Sequence, residues 1–144
     1  MKNVRLISLI LATVIFLSVG VFAAYNPPDS PDASAYFADY SAAVLNAGNG
    51  NLKVSFDATG TATMVRLGAA QISIYRSTGT YVTTIYCFDS GRGGMMGNNT
   101  SYHGDTETIH VGAGSYYAVV GFYAKNSSGG IGTKTYQTGT RTIT

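Results

Sequence analysis

His103, Asp105 and Glu107 stand at i, i+2 and i+4 in YHGDTETIH, and on a strand that spacing puts all three side chains on one face. An imidazole with two carboxylates is a ligand set for a divalent cation. The simpler expectation is a solvated face at the start of an edge strand, because no second ligand motif accompanies the trio. His110 has the opposite parity and would join only across a bend. Cys87 would act as a nucleophile only with a His and an acid brought to it by the fold, and no local signature surrounds it. Its place inside the apolar run 80–88 reads instead as a small buried hydrophobe. Gly91, Arg92, Gly93 and Gly94 resemble an anion cradle in composition, but a phosphate loop opens a helix and none is expected here. Seven scattered carboxylates offer no pair to assign to glycoside hydrolysis. The expectation is a non-enzymatic chain without a cofactor.

Eleven tyrosines in 144 residues are the stronger chemical feature, since a phenol offers a large apolar face with a hydrogen-bonding tip, as sugar, peptide and protein contact surfaces require. Tyr75, Tyr81, Tyr86, Tyr117, Tyr123 and Tyr136 could form a ladder on an exposed face, or pack pairwise across strands and stabilise the sheet. The Gly-rich stretch DSGRGGMMGNNTS, residues 89–101, is longer than an ordinary connection, and such loops generally serve contact or motion. Its shortening is expected to leave the melting temperature unchanged. Together these features nominate Tyr75, Tyr81, Met95, Met96, Asn98, Tyr102 and Tyr123 as the contact set, with an extracellular protein or glycan surface as the partner.

The elements that must position these residues are strands. In residues 116–124, Tyr116, Ala118, Val120, Phe122 and Ala124 share one face and Tyr117, Val119, Gly121 and Tyr123 the other. Both faces are largely apolar, which places this strand in the middle of a sheet. Tyr116 shares the parity of Val120 and Phe122 and follows a Gly-containing corner, so it is the tyrosine whose hydroxyl would bond back across that corner. Residues 36–45 read as a first strand, Asn49-Gly50 as a turn, and Leu52, Val54 and Phe56 as the alternation of a second. Residues 71–76 and 81–88 form the clearest hairpin, and 106–111 a short strand. Residues 58–70 read as an inter-sheet connection, and the Thr-rich 133–144 as an exposed edge strand. The fold class expected is an all-β, antiparallel Greek-key sandwich of immunoglobulin or fibronectin III type with about seven strands.

Ahead of this, residues 1–23 carry Lys2 and Arg5 before an apolar run and small residues, the pattern of a secretory signal. Uncleaved, the same segment would be a membrane anchor. Residues 24–34, rich in Pro, Asp and Ser, read as a flexible arm, leaving 35–144 as the domain. Of nine basic residues, two leave with the signal, so seven face seven acidic ones. No basic stripe points to nucleic acid. The single cysteine excludes an internal disulfide. Addition of the arm or of the last strand to an edge of a second copy would build a homo-oligomer instead.

VGAGSYYAVVGFYAKNSSGG resembles the end of a fibronectin type III or immunoglobulin-like domain, where a Gly-containing corner precedes a tyrosine-led strand and a Gly/Ser turn precedes the last one. The core Trp of that family is missing, and no Pro stands before the corner. More broadly, GTATMVRLGAAQISIY, MMGNNTSYHG and AGSYYAVVGFYAKNSSG together are similar to small secreted single-module proteins of gut Firmicutes. That resemblance implies a bacterial, extracellular β-sandwich and no particular activity.

Overall fold

A computed structural model describes residues 33–144 of the chain; the signal and most of the arm expected from the sequence lie outside them. One helical turn, α1 (Ala33–Tyr36), leads into seven strands: β1 (Phe37–Gly48), β2 (Asn51–Arg76), β3 (Tyr81–Tyr86), β4 (Met96–His110), β5 (Gly114–Lys125), β6 (Ile131–Gln137) and β7 (Arg141–Ile143). Every strand pairing is antiparallel. The fold is all-β with the expected strand number.

Its organiser is β2, 26 residues long. Residues 51–59 of β2 pair with β1 on one side and with the end of β4 on the other. Residues 66–76 pair with β5 on one side, while the start of β4 and then β3 lie end to end along the other. A single sheet is therefore folded over into two facing layers, joined through β2. Layer one holds β1, the first half of β2 and most of β4. Layer two holds β3, the second half of β2, β5, and β6 with β7 in line beyond it. Side chains from the two layers meet in the middle: Phe56 of layer one lies edge-on to Phe122 of layer two at 6.4 Å, and Tyr40 meets Phe122 at 5.5 Å and Tyr136 at 6.4 Å. That is the packing of a sandwich, whose inner faces interdigitate.

The buried residues on β2 run Leu52, Val54, Phe56, Ala58, then Met64, Leu67, Ala69, then Ile72, Ile74. Their parity changes twice. The first change comes between Met64 and Leu67, just after the register irregularity between Thr59 and Met64 where the strand passes from one layer to the other, and the second falls at the irregularity between Ala69 and Gln71 against β5, because a bulge inserts a residue and turns the inner face outward. Residues 58–70 are therefore part of the longest strand rather than a connection, and the bulges let one strand serve both layers.

The corner expected before β5 is present. Tyr116 is fully buried, and its hydroxyl donates to the Val111 carbonyl at 2.8 Å. Asn49 and Gly50, at φ 53° and 71°, make the turn between β1 and β2, a backbone twist that suits the strands it joins. The closing strand is broken. Thr138 is buried between β6 and β7, its amide donating to Ala118 O and its Oγ1 accepting from Ala118 N, each at 2.9 Å. The threonine side chain thus replaces a backbone partner and lets the strand resume as β7.

The segment expected to be a long loop is structured. A single 3-10 turn, Gly93–Met95, delivers Met95 into the core with no exposure, and β4 starts at Met96. Gly68, at φ +152°, lets this turn approach, since a Cβ there would collide with the Met95 carbonyl oxygen.

Candidate functional site

His103, Asp105 and Glu107 do share a face of β4, but it faces the Gly-rich turn and not solvent. Glu107 is buried and forms an ion pair with Arg92. His103 Nε2 bonds the Gly94 carbonyl at 2.7 Å. Asp105 Oδ1 accepts from the Thr106 amide at 2.7 Å, and its Oδ2 occupies the space a side chain at position 94 would need. Glu107 and His103 thus hold residues 92–94 against β4, and Asp105 packs beside Gly94. Among the described residues no group of three His, Cys, Asp or Glu could hold a metal ion, and the solvated face expected for the trio is corrected to a clasp on the turn.

The nominated contact set divides three ways. Met95 is buried in the core, a correction to its place on a contact loop, because its apolar side chain found the core instead of solvent; Met96 is nearly covered too, but it stands opposite Gly68 and lines the groove described below. Tyr102 is exposed on layer one, opposite Thr59, on strands that do not carry the other tyrosines. Tyr75, Tyr81, Asn98 and Tyr123 share the outer face of layer two, where Tyr75 meets Tyr81 and the other two stand several rows away.

That face can be read row by row from the register. Tyr81, Tyr75 and Tyr117 form the first row, with Tyr75 stacked on Tyr117 at 5.3 Å and edge-on to Tyr81 at 5.8 Å. Thr84, Ser73, Val119 and Gln137 follow, closed by a 2.8 Å hydroxyl bond between Ser73 and Thr84. The third row is Tyr86, Gln71, Gly121 and Thr135. Beyond it come Gly68, Tyr123 and Thr133, and then Asn98, Arg66, Lys125 and Ile131. Five of the six tyrosines expected to form a ladder lie on this face, but ring contacts join only Tyr81, Tyr75 and Tyr117, while Tyr86 and Tyr123 stand in lower rows. Tyr136 is the exception: it pairs with Val120 and packs inward near Tyr40.

The lower rows enclose a groove of about 450 Å³. It lies over the junction where β3 ends and β4 begins along the same edge of β2. Its floor is Ala70 and Gln71, with Gly121 beside them, and a side chain at 121 would press on Gln71. One wall is Tyr86 and Phe88, stacked at 5.0 Å with planes 12° apart. Phe88 is 79% exposed, an unusual position for a phenylalanine that nothing covers. Tyr123 stands opposite with Arg66 and Lys125, and Cys87 completes the lining. Cys87 is half-buried rather than enclosed, its amide bonding the Ala70 carbonyl at 3.0 Å. A second depression of about 190 Å³ shares Ala70 and Gln71 and continues across Gly121 to Thr133, Lys134 and Thr135. The whole is an elongated trough across four strands, with rings at one end and hydroxyls and an amide along its length.

Sequence reasoning missed Phe88, Gln71, Gly121, Arg66 and Lys125. The available signal was Gly121, a glycine inside an otherwise apolar strand, which marks close approach of a neighbour or ligand. Parity also put Tyr123 on the same side as Gly121.

No family model and no characterised protein matches the sequence. Among solved structures, the C-terminal domain of Wzt is similar over 75% of this chain and 72% of its own, at 14% identity and a TM-score of 0.49. CopC from Methylosinus trichosporium OB3b is similar over 75% of this chain and 91% of its own, at 21% identity and a TM-score of 0.35. At that degree of overlap, the function of this chain has to be argued from its own surface.

Proposed function

We propose that the protein is an exported, non-enzymatic binding module that holds an extended saccharide in the trough on the outer face of layer two. The observation that carries this is the pairing of the uncovered Tyr86 and Phe88 rings with a floor of Gln71, Ala70 and Gly121. Rings offer a flat apolar face to the C–H side of a sugar, and an amide and threonine hydroxyls offer partners for its hydroxyls. An open, strand-lined trough suits a chain-like ligand better than a small molecule, which would need enclosure. The leader-like residues 1–23 support export. Adhesion to a surface glycan is the biological role that such a module would serve.

Phe88→Ser tests the reading, because a residue so exposed contributes little to the core. The variant is expected to melt with the parent and to lose about tenfold in retention on glycan arrays or mucin, the weight of one ring contact. Equal retention of parent and variant, or no retention of the parent, overturns it.

A further inference from the structure

We infer that the saccharide is acidic, its carboxylate or sulfate held at the Arg66 and Lys125 end of the trough; the inference rests on the binding reading above. Arg66 and Lys125 are direct cross-strand partners on β2 and β5, so their Cβ atoms lie about 5 Å apart on one face. Like charges placed directly opposite each other destabilise a sheet, and natural sheets usually answer such a pair with a carboxylate nearby. None is present. Their flanking positions in the row are Asn98 and Ile131, and no Asp or Glu lines either part of the trough. The carboxylates of the described residues have other partners: Asp39 the Tyr40 amide, Asp57 Ser41, Asp89 the Tyr86 amide, Asp105 the Thr106 amide and Glu107 Arg92. Two cations facing one another beside Tyr123, at the mouth of a ring-walled groove, complement an anion that bridges them. Arg66 presents a planar fork suited to carboxylate or sulfate, and Lys125 adds a point charge. With the rings a few residues away, the ligand that satisfies both ends is a sugar carrying an acidic group.

The test uses the full exported domain on an array that pairs uronate, sialylated and sulfated oligosaccharides with neutral counterparts of the same backbone. The expected result is retention of acidic members at least about tenfold above their neutral counterparts, weakened by raising the salt as exposed charge pairing requires. The double variant Arg66→Gln/Lys125→Gln should lose that preference while melting no lower than the parent, since a repulsive pair has been removed. Binding of neutral glycans that is lost in Phe88→Ser but untouched by the double variant would sink the acidic assignment and leave the binding reading standing. Retention of nothing, or retention indifferent to both sets of substitutions, sinks the two together.

Discussion

A single hydroxyl decides how the chain turns from layer one into layer two. Tyr116 has no exposed surface, and a phenol that deep must find a partner for its O–H. It finds the Val111 carbonyl at 2.8 Å, with the Ala113 carbonyl more distant at 3.4 Å, while the Arg76 guanidinium lies 5.3 Å from the ring centre. The bond ties both ends of the 111–116 corner. Tyr116→Phe keeps the ring and its packing and removes only the bond, so a loss of about 1–2 kcal/mol is expected in urea unfolding with an unchanged slope. No loss would mean that the corner is held by packing alone. This residue was readable in advance because everything it depends on lies within a dozen residues: a glycine corner, a parity, and an apolar strand. The groove residues were not, because Arg66 meets Lys125, and Gln71 meets Gly121, only through a register set by bulges that alternation cannot locate.

The same distinction separates the elements. Hairpins read correctly: Asn49-Gly50 and the β2–β3 turn are local. The stretch 89–101 read as a free loop because its glycines break any period, whereas its order comes from partners far along the chain. Arg92 reaches Glu107, the Gly94 carbonyl accepts from His103 Nε2, and Met95 packs beside Gly68. His103 and Glu107 are two of the three residues whose spacing suggested a metal, so the strand parity was right and what they hold is a piece of this chain. Met95→Ala removes a fully buried side chain and should cost about 2–4 kcal/mol, read by denaturant unfolding. Shortening the segment should accordingly lower the melting temperature, the reverse of the outcome expected for a solvated loop. A Met95→Ala variant as stable as its parent would return the turn to the surface.

At the scale of the molecule, β2 makes the two layers one cooperative unit. In a sandwich whose strands each belong to one sheet, a layer can loosen while the other holds, coupled only through side chains. Here the first half of β2 carries layer one and the second half carries layer two, so the backbone itself crosses between them at the Thr59 to Met64 irregularity. The C-terminus adds a second tie: the Gly50 amide donates to Thr144 O at 3.0 Å, and Asn46 Nδ2 donates to Thr144 Oγ1 at 2.9 Å, joining the β1–β2 turn to the end of β7. Opening one layer therefore strips partners from the other, and the lowest-energy opening that frees the core is global. Val54→Ala probes this, because Val54 is fully buried in layer one and its truncation should cost about 2 kcal/mol. Native-state hydrogen exchange should then show that cost at amides 52–58 of layer one and equally at 72–75 and 118–122 of layer two. Protection lost in layer one alone would show that the layers open independently, with the bulge in β2 acting as a hinge between them. Coupled layers would also hold the trough rigid, since its floor is laid by the layer-two half of β2, which runs on from the half in layer one, and a ligand would then meet a surface already in its binding shape.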